Sequence, residues 1–287
     1  MDLVAHYKQQ FRWRDWARAM GALPDLSGQV VLDLGCGIGD QAELLVARGA
    51  KVRGFDSNGE VVAAARSRGL SDAEFEQADL RALPGIGAPV DGIWCSFAAA
   101  YFPRLGPVLS SWAGHLREGG WIALTEIDDL FGHSPLGRRA AERFEAYAYE
   151  ALQADRYDFF MGRRLQEVLM GTGFTVAKAF SLPDSELSFD GRVTPDVLAA
   201  WQTRLDGMRL FRESCGAEYA AVRDEFLACL AAPEHKSQAR VQFVLARKGR
   251  AGEPGAAPNS RPPQQLPASP EVQTPDSQRT PSSGGSG

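Results

Sequence analysis

The 287-residue sequence predicts an α/β protein built on one doubly wound, mostly parallel sheet. Three observations predict it. Short apolar runs alternate with helical patterns through the first half, the connections between them are short, and the first run passes directly into Gly35-Cys36-Gly37-Ile38-Gly39. That first strand, Val30-Val31-Leu32-Asp33-Leu34, has the nearly unbroken apolar character of a strand buried on both faces. A helix is predicted over 40–48, with Gly49 at its C′ position. The second strand spans 52–55, and the helix over 59–67 is closed by Gly69.

A short strand near Glu74-Phe75-Glu76 and a stronger one at 92–97 come next. The following helix places Leu105, Val108, Leu109, Trp112 and Leu116 at spacings of three and four, giving one apolar face. Glu118-Gly119-Gly120 then turns into a fifth strand at 121–125. With right-handed crossovers these elements wind a Rossmann-like sheet. In the second half the pattern predicts helices at 136–154 and 162–170 and a strand at 174–180. Helices around 195–211 and 217–231 and a final strand at 240–245 complete the prediction. That gives seven strands, the last antiparallel, with helical lid insertions. Residues 1–25 form an aromatic N-terminal cap, 26–249 the main domain with insertions at about 128–160 and 183–237, and 250–287 a disordered Pro/Ser/Gly-rich tail. The tail holds eight of the 17 prolines and no aromatic residue, too little apolar surface to offset the entropy of ordering it.

Composition narrows the function classes. A net charge of -5 and the absence of any long Lys/Arg run argue against nucleic acid, since Arg138-Arg139 and Arg163-Arg164 are only short basic pairs. The four cysteines, Cys36, Cys95, Cys215 and Cys229, have neither disulfide nor zinc spacing, so no metal is expected. No apolar run reaches membrane-spanning length and the N-terminus lacks a signal-peptide pattern, so a cytoplasmic protein is expected, as monomer or homodimer.

The glycines sit where a backbone must approach a ligand closely, although glycine also serves tight strand-to-helix turns without one. Val31-Leu32-Asp33-Leu34-Gly35-Cys36-Gly37-Ile38-Gly39 resembles the first motif of class I S-adenosylmethionine-dependent methyltransferases. The resemblance extends to Asp56, to Ala78-Asp79-Leu80 and to the Leu116–Gly120 turn, covering roughly 26–126. It implies S-adenosylmethionine as cofactor, held by Asp33, Gly35, Cys36, Gly37, Gly39, Asp56, Ser57, Asp79, Leu80 and Phe97.

An adenosine ribose carries two vicinal hydroxyls that one carboxylate can accept from, and Asp56 ends a strand at the correct sheet edge for it. Asp56 could instead cap the next helix. Asp79 resembles the family's adenine-binding carboxylate or is a polar loop residue, and Asp33 lies near the methionine amino group or orients the glycine turn. Asp40 opens the next helix with a negative charge, which disfavours a pyrophosphate and suits a cationic, phosphate-free donor. That choice speaks against the alternative of a nicotinamide-dependent oxidoreductase.

Methyl transfer needs the acceptor atom in line, plus a base if that atom carries a proton. Candidate bases follow the fifth strand, with His133 favoured for its pKa near neutrality and Glu126 second, ahead of Asp128 and Asp129. Tyr7 and Trp16 in the aromatic N-terminus, with Tyr101 and Phe160, are candidates for the acceptor pocket or for simple packing. The fourth strand ends in Cys95-Ser96-Phe97-Ala98 and lacks the Asn/Asp-Pro-Pro-aromatic tetrapeptide of amino-methylating nucleic-acid enzymes. A small-molecule acceptor is therefore expected, with O-methylation favoured and N- or C-methylation as alternatives. A non-catalytic protein that binds the same cofactor is the remaining alternative.

Overall fold

In the computed structural model, which describes residues 3–249, the five apolar runs of the first half are parallel strands. They are β1 (Val30–Leu34), β2 (Lys51–Asp56), β3 (Ala73–Gln77), β4 (Val90–Ser96) and β5 (Leu116–Asp128). The tail expected at 250–287 lies outside the described residues. Two N-terminal helices, α1 (Leu3–Phe11) and α2 (Trp16–Ala22), precede them, and α3 (Asp40–Val46), α4 (Gly59–Ser67) and α5 (Leu105–His115) fill the crossovers. The second half contributes a short ribbon strand β6 (His133–Ser134), then α6 (Arg138–Gln153), α7 (Met161–Gly171) and β7 (Phe174–Leu182). It closes with α8 (Pro195–Gly207), α9 (Arg209–Cys215), α10 (Tyr219–Ala231), the ribbon strand β8 (Lys236–Ser237) and β9 (Arg240–Lys248).

The main sheet has seven strands in the order β3-β2-β1-β4-β5-β9-β7. β9 is antiparallel to both β5 and β7, so it alone opposes the other six. The expected fold, a doubly wound sheet whose last strand is antiparallel, is the one observed. The strand order reverses between β1 and β4, which leaves a crevice at their carboxyl ends.

Alternation along the strands explains the unbroken apolar runs. Ile93, Cys95, Ile122, Leu124, Val244 and Ala246 face one core with Trp112 and Leu109 of α5 and Leu165 and Leu169 of α7. Trp94, Trp121, Ala123, Phe243 and Leu245 face the other with Leu45 of α3, Trp16 of α2 and the aromatic helices of the second half. Those helices pack through Phe144, Phe211, Phe226 and Trp201, whose rings lie 4.6 to 5.2 Å apart in successive pairs.

Several boundaries differ from the pattern. The single helix predicted at 195–211 breaks at Met208, whose ψ of 74° is not helical, into α8 and α9. The aromatic N-terminus is two helices, with Asp15 capping α2 through the Arg18 N–H at 3.0 Å. β5 begins five residues early, because its first turn pairs Leu116 with Val90 before a bulge restores the register at Gly92. The short basic pairs are engaged with carboxylates: Arg138 with Glu142, Arg139 with Glu218, Arg163 with Asp128 and Arg164 with Asp158. Among the described residues no helix is long and apolar enough to cross a membrane.

Gly92 lies beneath the Trp121 indole, where an added Cβ would stand 2.1 Å from a ring carbon. The indole is itself fixed by donating to Gln29 Oε1 at 2.8 Å. Overpacking of this kind costs about 2 kcal/mol, so Gly92→Ala is expected to lose that much stability in urea denaturation; an unchanged midpoint would contradict the packing described.

Candidate active site

The β1–α3 turn needs glycine for backbone reasons, since Gly35, Gly37 and Gly39 have φ of 79°, 52° and 82°. Space matters equally at two of them. A Cβ on Gly35 would stand 2.6 Å from the Ala98 Cβ, and one on Gly37 would stand 3.0 Å from the Tyr7 ring. Gly39 turns its open face to Phe75, Arg68 and Ala65, away from the crevice. The turn is tied to β2 by the Phe55 carbonyl, which accepts from the Gly35 and Cys36 N–H groups at 2.8 and 3.1 Å.

That link sets Asp56 beside the loop. Its Oδ2 accepts from the Gly37 N–H at 3.0 Å and its Oδ1 from the Asn58 N–H at 2.9 Å. Each oxygen therefore keeps a lone pair for a further donor. The helix cap that Asp56 could have been is Asn58, which accepts from the Glu60 N–H at 2.9 Å. Asp79 is an exposed loop carboxylate that accepts from the Arg81 N–H at 2.9 Å, and the adjoining Leu80 carbonyl accepts from Trp112 Nε1 at 2.8 Å. Asp33 is fully buried, and burial, with Asp56 nearby, raises its carboxyl pKa to about 8. Its Oδ2 has no partner.

A cavity of about 740 Å³ opens over the crevice. Of the expected residues it brings together Gly35, Gly37, Asp56, Ser57, Asp79, Leu80 and Phe97 on the cofactor side, and Tyr7, Trp16 and Tyr101 on the acceptor side. Phe97 holds a φ of +57°, a left-handed turn that leads out of β4 along the cavity wall. Asp33, Cys36 and Gly39 lie behind this surface; burial pushes the Cys36 thiol far up, so it stays protonated.

Three further expected residues do not reach the cavity. His133 sits in the β6–β8 ribbon, where its Nδ1 is 2.9 Å from His235 Nε2 and its ring packs on Trp201 and Phe226. Burial and the second imidazole hold its pKa down to about 3, so it is a neutral core residue. Phe160 precedes α7 under the Arg163 guanidinium, 4.7 Å away. Glu126 is wholly buried behind the cavity wall, with Oε1 accepting from the Ala100 N–H at 2.9 Å. It fixes the 99–101 turn that carries Tyr101, and has no opening to an acceptor. The charge reading of Asp40 also needs correction, because Arg68 pairs with it at 2.8 Å and neutralises the helix start.

The pattern missed two arginines on the cavity wall, Arg14 and Arg204. Both engage buried carboxylates of the segment after β7. Arg14 pairs with Asp184 at 2.9 Å and Glu186 at 2.8 Å, and Arg204 holds the other Glu186 oxygen. One sequence signal existed for Arg204. It falls between Trp201 and Leu205, both fully buried, on the apolar stripe of α8.

Sheet order, glycine turn and carboxylates at successive strand ends define a methyltransferase-type crevice. Residues 31–120 match the family model of a methyltransferase domain. Over that span the chain is similar to a methyltransferase domain, in line with the resemblance of its glycine motif to class I S-adenosylmethionine-dependent methyltransferases. It is similar to trans-aconitate 2-methyltransferase of Azoarcus sp. strain BH72, 42% identical over 33% of this chain and 37% of that protein. A protein of the same name from Mycobacterium tuberculosis strain ATCC 25177 / H37Ra is 32% identical over 51% of this chain and 56% of its own length. The chain therefore spans between about a third and just over half of these curated relatives. The crystal structure of an S-adenosylmethionine dependent methyltransferase from Mesorhizobium loti shares the fold, with a TM-score of 0.50 and 19% identity over 82% of this chain and 97% of that one.

The cradle fits that cofactor. A Cβ would fill it at Gly35 and Gly37, Asp33 leaves one oxygen unpartnered, and Asp56 has two lone pairs to spare.

Burial raises the Glu126 carboxyl pKa from its ordinary 4.5 to about 8. Between those values the unfolded chain releases a proton that the folded chain keeps, so stability falls as pH rises and levels off above about 8. The slope reaches up to about 1.4 kcal/mol per pH unit for one group. Glu126→Gln is expected to flatten the fall between pH 5 and 8 by about one proton's worth, as read from denaturant midpoints across that range; Asp33, raised likewise to about 8, still contributes in the variant.

Proposed function

We propose that this protein transfers a methyl group from S-adenosylmethionine to a carboxylate oxygen of a small-molecule acceptor. The observation that carries this reading is that none of the described side chains on the acceptor side of the cavity is a free base. The side chains described on its wall include no histidine; that of His6, beside Tyr7 in α1, is not among those described. Of its carboxylates, Asp40 is paired with Arg68 and Asp155 with Arg104, while Asp56 and Asp79 belong to the cofactor side. Burial raises the Tyr7 pKa to about 12 and that of Tyr157 well above its ordinary value, so these phenols keep their protons.

An acceptor that arrives ionised needs no proton removed. A carboxylate is such an acceptor at neutral pH, whereas an alcohol, phenol or ammonium is not. Bound S-adenosylmethionine supplies an electrophilic methyl group on a cationic sulfur. Asp56 would accept from the two ribose hydroxyls, Asp79 and the Leu80 backbone would meet the adenine, and Gly35, Gly37 and Asp33 would accommodate the methionine end. Tyr7 and Phe97 flank this path and exclude water, leaving in-line placement as the main contribution of the protein. The names of the relatives, trans-aconitate 2-methyltransferases, support a carboxylate acceptor.

The test is turnover of methyl-labelled cofactor with trans-aconitate and a panel of carboxylates, phenols and amines. Release of S-adenosylhomocysteine with formation of a base-labile ester is expected only from carboxylates; methylation of a phenol or amine instead would overturn the reading. Asp56→Ala is expected to weaken S-adenosylhomocysteine binding by about tenfold or more in calorimetric titration, because two charge-assisted hydrogen bonds go with it.

A further inference from the structure

The two cavity arginines are not equivalent. Arg14 is the more engaged: Nη1 donates to the Gln10 carbonyl at 2.7 Å, Nη2 to Glu186 at 2.8 Å, and Nε is ion-paired with Asp184 at 2.9 Å. Its guanidinium also stacks over Phe97 at 4.6 Å. Arg204 has one ionic link, from Nη2 to Glu186; its Nε, like that of Arg14, is buried without a hydrogen-bond partner. Glu186 is thus shared between two cations while Asp184 pairs with Arg14 alone. Burial pushes the Glu186 carboxyl up, but Arg204 and Arg14 together pull it below its ordinary value. Arg204 thus touches one shared carboxylate, with Asp184 acting on it only at longer range.

Its position is equally specific. The guanidinium is steadied over the Trp201 ring at 5.1 Å, and the side chain lies on the cavity wall with 17% of its surface open. Tyr157 and Tyr101, 4.9 Å apart and edge to face, stand on the same wall. Desolvation raises the pKa of both phenols, and the positive charge of Arg204 opposes that rise in both. Arg204 thus lines the same recess as Phe97 and the two tyrosines.

We propose that Arg204 grips an anionic group of the acceptor other than the one that is methylated, with Arg14 and Glu186 as its brace. This inference rests on the carboxyl methylation proposed above. An arginine fork on the reacting carboxylate would occupy the lone pairs that must attack, so the fork belongs on a second group. The acceptor class is then a dianion or higher, with an unsaturated or apolar body against Phe97, Tyr101 and Tyr157. Helix α8 of the second half sets this specificity, while the cofactor cradle lies wholly in the first.

Fumarate and crotonate separate the two ends of such a molecule, since they match in length and differ in one carboxylate. Binding of each to the S-adenosylhomocysteine complex is measured by calorimetry for the wild type, Arg204→Gln and Arg204→Lys. The wild type is expected to bind fumarate at least about tenfold more tightly than crotonate, the scale of one charge-assisted pair. Arg204→Gln should erase that preference, and Arg204→Lys should restore part of it. Unchanged S-adenosylhomocysteine affinity and a single cooperative melting transition in both variants, at whatever temperature, show that the fold is intact. Equal binding of the two acids by the wild type, no binding of either, or a preference that survives Arg204→Gln overturns the assignment. Carboxylate turnover alongside equal binding would sink this inference alone, whereas turnover confined to phenols or amines would sink the carboxyl-methylation reading first.

Discussion

One carbonyl organises the crevice. Phe55 O accepts from two successive N–H groups of the turn after β1, and through that double bond the end of β2 is drawn against the glycine loop. Asp56, the next residue, can then reach the Gly37 N–H, and its second oxygen reaches forward to Asn58. The same closeness forbids a side chain at Gly35, where Ala98 from the β4 exit presses in from the other side. Three strand ends are thus held within a few ångströms by backbone groups that do not titrate. Whatever occupies the cradle meets a surface whose shape does not depend on a flexible side chain.

The buried ionic group performs a comparable task for the opposite wall. Asp15 donates its N–H to the Pro183 carbonyl, Ser185 donates to the Trp13 carbonyl, and Arg14 pairs with Asp184 and Glu186 between these bonds. Segments far apart in sequence are stitched together there. Removing one partner would strand a charge away from water, a cost of several kcal/mol, so the arrangement persists as a unit. Helix α1 extends from this stitched point to lay Tyr7 against Gly37.

The first half was legible because its signals are local. Val30–Leu34, the three glycines and Asp56 follow one another within thirty residues, and each type answers to a backbone or packing requirement that spacing reveals. The second half was legible only in outline, and the reasons differ by residue. His133 was favoured on its intrinsic pKa, yet what decides its role is a neighbour a hundred positions away, His235, and an aromatic box from α8 and α10. Glu126 does end its strand near the crevice, but a carboxyl that accepts backbone N–H groups on its buried side has no face left for a ligand. Arg14 and Glu186 carry no periodicity at all, and only the folded chain brings them together. The break at Met208 likewise has no Gly-Pro signature beyond Gly207.

The placement of β9 has a consequence for biogenesis. β9, the last strand among the described residues, is not an edge strand; it slots between β5 and β7, with eight register pairs on each side. Until it arrives, β5 and β7 each present an unsatisfied ladder of N–H and C=O groups to the solvent around a nascent chain. Long open edges of this kind are what chaperones shield and what seeds aggregation. Folding of the whole sheet is therefore postponed until residues 240–248 have left the ribosome, although the crevice-forming strands were made long before.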